Sequence, residues 1–213
     1  MSNSNKGLYH QEPINVSKNA NMNLYFPKTN NMDKLKITNV GIYSISKPDD
    51  ANWITQKIID NIDGDPKKMV ITDATASVGG NTISFAEEFK KVNAIEMSPI
   101  HFEILKNNVG VYGIKNVDFL LGDSLEIVPT LKQNIIFIDA PWGGTGYKKY
   151  RTTRLFMSGK PLTGIVNNLM DKADMIVLKV PKNFDYTHFF QNVESEKFII
   201  YKALKFHLII IKN

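Results

Sequence analysis

The chain has 213 residues, 26 Lys and Arg against 21 Asp and Glu for a net charge of +5, and no cysteine. That length suits one domain of roughly 150–250 residues with a core that needs no staple; the missing cysteine excludes a thiol nucleophile, a disulfide framework and the usual zinc cages. Apolar runs stay far below the roughly 20 residues of a membrane span, and the start, MSNSNKGLYHQEP, lacks an apolar signal-peptide core, so an intracellular chain with no membrane partner is expected.

Residues 1–50 read as an N-terminal arm or extension, partly irregular, and residues 51–213 as the folded domain. The arm is polar and Asn-rich, carries Pro13 and Pro27, and offers Tyr9, Leu24, Tyr25 and Phe26 as pins to the body. From Trp53 to Ile62 the apolar spacing predicts a helix, preceded by Pro48, Asp49 and Asp50 and ended by Asp63-Gly64-Asp65-Pro66. Strand-like and helix-like runs then alternate. Strands are predicted at 69–73, 92–97, 117–123, 134–139 and 174–180. Helices are predicted at 81–90, 99–109, 125–131, 162–172 and 184–192. Two strands, 198–204 and 206–212, close the chain as a pair. The alternation implies an α/β fold, a mostly parallel sheet with helices on both faces.

In such sheets ligands bind beyond the carboxyl ends of the strands. Four successive strands end in or beside a carboxylate: Asp73, Glu96, Asp123 and Asp139. Acidic groups gathered on one edge repel one another, so they suit a ligand with hydroxyls, an amine and a cationic centre. The first strand runs into Asp73-Ala74-Thr75-Ala76-Ser77-Val78-Gly79-Gly80-Asn81-Thr82, a glycine turn without dinucleotide or P-loop spacing. Glu96 is placed to accept from ribose hydroxyls, and Asp123 from the amino group of a purine. The fourth strand ends in Asp139-Ala140-Pro141-Trp142-Gly143-Gly144, where the glycines leave the Trp142 face open for stacking. The densest basic segment follows at once: Lys148, Lys149, Arg151 and Arg154, which include the chain's only two arginines.

These motifs resemble a known family. DATASVGGNTISFAEEF is similar to the D-A-x-x-G-V-G-G-N-T-I-x-F-A signature of the trimethylguanosine synthases, the RNA cap guanine-N2 methyltransferases. AIEMSP, NNVGVYGI, LLGD and DAPWGGTGY follow in the family's order, and the similarity covers about residues 40–185. The resemblance implies a single-domain Rossmann-like class I methyltransferase with a seven-stranded sheet and a C-terminal strand hairpin, using S-adenosylmethionine. It assigns Asp73, Thr75, Ser77, Gly79, Gly80, Asn81, Thr82, Glu96, Met97, Asp123 and Ser124 to the cofactor. Asp139, Ala140, Pro141 and Trp142 would be catalytic. Trp142, Tyr147, Lys148, Arg151, Arg154, Lys182 and Asn183 would meet the substrate. Ser77 stands where the family usually has Gly, Glu96 where it has Asp, and Asp139-Ala140 where it has Ser-Pro.

The expected reaction carries a methyl group to the exocyclic amine of a 7-methylguanosine cap, forming a di- or trimethylguanosine cap. That amine is a poor nucleophile, so the Asp139 carboxylate and the Ala140 carbonyl are expected to accept its hydrogens as the nitrogen pyramidalises. Trp142 would stack on the base, with a cation–π gain of roughly 0.5–2 kcal/mol if the base is cationic. No metal is expected. The expected partner is capped RNA or a cap dinucleotide, and the chain should be a monomer in the nucleus or cytoplasm, of a host cell if it is viral. The alternative is guanine-N2 or adenine-N6 methylation within structured RNA or DNA, which the Asp at the first motif position permits.

Overall fold

The computed structural model describes residues 2–4 and 14–212, so Tyr9 and Pro13 of the arm lie outside the described residues. One sheet organises the molecule. Its strands are β1 (Val70–Asp73), β2 (Lys91–Glu96), β3 (Val117–Leu121), β4 (Ile135–Ile138), β5 (Met175–Pro181), β6 (Phe198–Lys202) and β7 (Phe206–Lys212). They lie in the order β6-β7-β5-β4-β1-β2-β3. β7 runs antiparallel between β5 and β6, and the other neighbours are parallel. The seven-stranded, mostly parallel sheet and its terminal hairpin therefore match the expectation.

The helices are α1 (Gly41–Ser44), α2 (Pro48–Ile59), α3 (Gly80–Glu88), α4 (Pro99–Val111), α5 (Ser124–Ile127), α6 (Leu162–Leu169) and α7 (Tyr186–Asn192). α2 starts five residues before the predicted Trp53. Pro48 presets the backbone at the first helical position, and Asp49 and Asp50 sit in the first turn, where the helix dipole favours negative charge. α5 is shorter than predicted. Asp123 caps its start by accepting from the Leu125 N–H, and a 3₁₀ turn carrying Pro129 ends it. The sequence between β4 and α6 holds elements that the periodicity did not show: a 3₁₀ helix at Gly144–Lys149, a strand at Thr152–Arg154, and a two-residue hairpin turned by Ser158 and Gly159, both at positive φ.

The core lies on both faces of the sheet. On one face Ile136, Ile138, Ile176 and Leu178 pack with Val166 of α6 and Phe189 of α7. On the other, Ile135, Phe137, Val177 and Leu208 pack with Ile54 and Ile58 of α2 and Phe85 of α3. β4 and β5 are buried along their whole length, as central strands of such a sheet must be.

A third cluster ties the N-terminal segment to the body. Phe26, Leu35 and Ile37 pack with Ala76, Val78 and Leu105. Asn108 of α4 clamps this seam: its side chain bonds both backbone groups of Lys36 and the Val78 carbonyl. Leu24, one of the expected pins, is 53% exposed, whereas Phe26 is 1% exposed.

Strand order turns back at β1: β2 and β3 lie to one side, β4 and β5 to the other. The carboxyl ends of β1 and β4 thus form the crevice where open α/β sheets bind ligands. Asp73 ends β1, and Asp139 directly follows β4.

Candidate active site

Asp73 is fully buried. One carboxylate oxygen accepts from the Thr82 hydroxyl at 2.7 Å and the other from the Thr75 N–H at 3.3 Å. Burial pushes its pKa up to about 7 against these two bonds, and the charges of Asp139 and Glu96 push the same way. Thr75 in turn accepts the Asp139 N–H on its hydroxyl at 2.8 Å. The loop after β1 and the loop after β4 are therefore joined through one threonine. Thr82 faces Asp73 from inside α3 and is itself buried.

The turn between β1 and α3 needs unusual backbone angles. Gly79 has φ of 102°, and Ser77, where a side chain is present, has φ of 49°. At Gly80 a Cβ would come within 2.6 Å of the Ser46 carbonyl oxygen, so this glycine lets the N-terminal segment pass against α3. The Ser77 N–H points to Glu96 Oε2 at 2.9 Å, and the Ser98 N–H to Glu96 Oε1 at 2.7 Å. Both oxygens are thus held in place, and a carboxylate with about four lone-pair sites still has acceptor capacity left. Burial raises the Glu96 pKa, while the Ser98, Ser77 and Met97 N–H groups oppose it. Met97 is exposed beside it. Asp123 caps α5, and Ser124 donates to the Ala74 carbonyl at 2.6 Å, which ties β3's loop back to the first one.

This donor set fits S-adenosylmethionine. Asp139 and Glu96 raise the cost of the Asp73 charge, so a ligand with net positive charge is favoured beside it. Asn81 supplies a second observation: its Oδ1 is buried and has no hydrogen-bond donor among the described residues. An acceptor left in that state calls for a donor such as an ammonium group.

Beyond β4 the geometry centres on a residue that the sequence reading passed over. Lys179 lies inside β5, 7% exposed, in register with Leu208 of β7. Its ammonium donates to Asp139 Oδ2 at 2.6 Å and to Ser46 Oγ at 2.9 Å. It also sits 5.3 Å from the ring centroids of both Trp142 and Phe206. Burial raises the Asp139 pKa, and Lys179 opposes the rise. The Trp142 indole N–H opposes it too, although Nε1 reaches hydrogen-bond geometry with no acceptor among the described residues. Trp142 is half-buried, packs edge-on to Tyr147 at 5.2 Å, and borders both main core clusters. Ala140 is buried and Pro141 exposed.

The basic loop divides in two. Lys148, Lys149, Arg151 and Lys182 are exposed. Arg154 instead bonds Asp185 at 2.9 Å. Asn183 holds the loop's backbone: its amide donates to the Tyr147 and Tyr150 carbonyls and to Thr153. The basic segment and the family resemblance put Arg154 and Asn183 among the expected substrate contacts, and the structure shows both engaged within the chain.

His101 and Thr38 also went unread. The Thr38 hydroxyl accepts from the Gly41 N–H and bonds His101 Nε2 at 2.9 Å, while His101 Nδ1 lies 3.9 Å from Glu96. No spacing rule links residues this distant in sequence. Lys179 stands two residues before the end of an apolar strand, a position that strand patterning alone does not single out.

The family model for RNA cap guanine-N2 methyltransferases matches residues 68–205. An uncharacterised protein of Acanthamoeba polyphaga mimivirus, L320, is 32% identical over 206 residues, covering 85% of this chain and 80% of that one. The trimethylguanosine synthase of Schizosaccharomyces pombe is 34% identical over 112 residues, covering 49% of this chain and 45% of the yeast protein. Among solved structures, an rRNA methylase of Streptococcus thermophilus superposes with a TM-score of 0.53 at 12% identity, over 79% of this chain and 98% of that one. That likeness concerns the fold.

Proposed function

The chain belongs to the RNA cap guanine-N2 methyltransferase family, and on that premise we propose that it methylates the exocyclic N2 of a 7-methylguanosine cap. It is an S-adenosylmethionine-dependent methyltransferase by family and fold. When bound, S-adenosylmethionine supplies an electrophilic methyl group on a sulfonium. The observation that carries the cap reading is the family match over residues 68–205, and Asp139, paired with Lys179 beside the ring of Trp142, stands where the acceptor is needed.

In this reading Glu96 binds the ribose hydroxyls with an oxygen pair already fixed by two backbone N–H groups. Asp123 and Ser124 border the purine, and Asn81 accepts from the ammonium end. Asp139 accepts a hydrogen of the guanine amine and takes or passes on the proton lost as the nitrogen is alkylated. The Ala140 carbonyl accepts the second hydrogen. Trp142 stacks on the base, and Tyr147, Lys148, Arg151 and Lys182 meet the phosphates beyond it. Capped RNA or a cap dinucleotide is the substrate, and the chain works as a monomer in nucleus or cytoplasm.

Mass spectrometry of a 7-methylguanosine cap analogue incubated with the chain and methyl donor should show the gain of one or two methyl groups. Gain on uncapped structured RNA or DNA, with none on the analogue, would transfer the chain to the alternative substrate class that Asp139 permits. Trp142→Ala should keep its affinity for the cofactor while cap affinity falls by at least about 0.5–2 kcal/mol, the size of the cation–π contribution. Unchanged cap affinity in that variant would remove Trp142 from the base platform.

A further inference from the structure

We propose that Lys179 is a positioning residue of the methyl-transfer site: its ammonium holds the Asp139 carboxylate ionised and fixed, and its bond to Ser46 ties that state to the N-terminal segment. This rests on the reading of Asp139 as the acceptor of the amine's hydrogen.

A lysine in the middle layer of a sheet is costly, because a buried ammonium loses its hydration and neutralises unless it is paired. Lys179 meets a carboxylate, a hydroxyl and two aromatic rings, which together retain the charge. Asp139 has the converse difficulty. The charged group next to it at the end of β1 is Asp73, with Glu96 of β2 behind, and both carry the wrong sign to hold a carboxylate ionised. The remaining close neighbours bring no charge: Thr75 from the first loop, Trp142 from its own loop, and Ser46 and Phe206 around Lys179. Lys179 is the cation bonded to Asp139. If Asp139 were protonated, it would present an O–H where the substrate amine needs an acceptor. The family's usual Ser at this position has no charge to hold, so a buried lysine opposite it would have no carboxylate to pair with. Asp139 and Lys179 are thus read as one unit.

Two measurements test this. Carbon-13 NMR of labelled aspartate, with the Asp139 signal assigned from Asp139→Asn, follows its titration without any substrate. In Lys179→Met the Asp139 carboxyl should titrate at least about one pH unit higher than in the parent chain, and turnover at pH 7 should fall at least about tenfold. The acid limb of kcat should move upward by the same interval, while cofactor affinity changes less than about threefold. Lys179→Arg should recover most of the activity. In the Asp139→Asn background, Lys179→Met should cost less than about twofold, since no carboxylate remains to be held.

An unmoved Asp139 titration, or an equal loss in the Asp139→Asn background, would make Lys179 a space-filling residue and overturn the proposal. If Lys179→Met does not fold, the Arg variant and the double variant carry the same comparison. A parent chain inactive on every cap analogue would sink the cap reading instead, and the NMR titration would still decide the role of Lys179.

Discussion

At Ser77 a single side chain sits in a conformation that glycine adopts more easily. Its φ of 49° lies in the left-handed region, and its N–H is committed to Glu96. Left-handed backbone costs an L residue roughly 1–2 kcal/mol. Glycine would remove that cost but gives back about 0.4–1 kcal/mol through the freer unfolded chain. The first effect wins, so Ser77→Gly should stabilise the protein by ~0.5–1 kcal/mol in chemical denaturation. It should also leave the N–H bond to Glu96 intact, so cofactor affinity should hold. This position was legible in the sequence because the departure from the family's glycine stands in a known motif. Lys179 was not. Strand patterning reads a lysine near a strand end as solvated, and its enclosure comes from β7 beside β5 and from the contacts with Asp139, Ser46 and the rings of Trp142 and Phe206.

The start of α3 sets the limit on how the site's elements can be altered. Gly80 opens the helix against Ile45 and Ser46, and a Cβ there would meet a side-chain carbon and a backbone oxygen, each at 2.6 Å. Alanine would bring about 1 kcal/mol of helix propensity. Overpacking against a backbone atom that cannot rotate away costs roughly 1–3 kcal/mol. Gly80→Ala should therefore lower the unfolding midpoint and weaken cofactor binding, and calorimetry reads both. A variant as stable as the parent would mean that the N-terminal segment can yield. Most elements were legible from periodicity, since β4 is an unbroken apolar run, β5 is interrupted only by Lys179, and Pro99 marks the start of α4. The loop between β4 and α6 was not. Its shape comes from Asn183, which reaches it from the far end of β5, and contacts of that range leave no local pattern.

For the molecule as a whole, the edge of the sheet gathers carboxylates and raises the proton affinity of one of them. Asp73 titrates near 7 in the folded chain, against an ordinary value of 3.8. The folded state holds that proton more tightly than the unfolded state does, so this group's contribution to stability falls as pH rises from 3.8 towards 7. A cofactor of net positive charge favours the ionised form. Its binding should therefore release a fraction of a proton between about pH 6 and 7, and affinity should rise with pH across that window. Calorimetry in buffers of different ionisation enthalpy measures the release, and Asp73→Asn should abolish it. Release that persists in Asp73→Asn would assign the proton to Glu96 or Asp139.

The bond between Ser46 and Lys179 also has a meaning in time. Its two ends are separated by 133 positions. Contacts of such separation form late, because a long loop must close before they can repay the entropy. On a growing chain the residues of the glycine turn, Glu96 and the seam at Asn108 have all been made by the end of α4. The charged pair must wait until β5 is made and seated. Ser46 is thus made long before the residue it bonds, and the pair of Lys179 with Asp139 is complete only when β5 is in place.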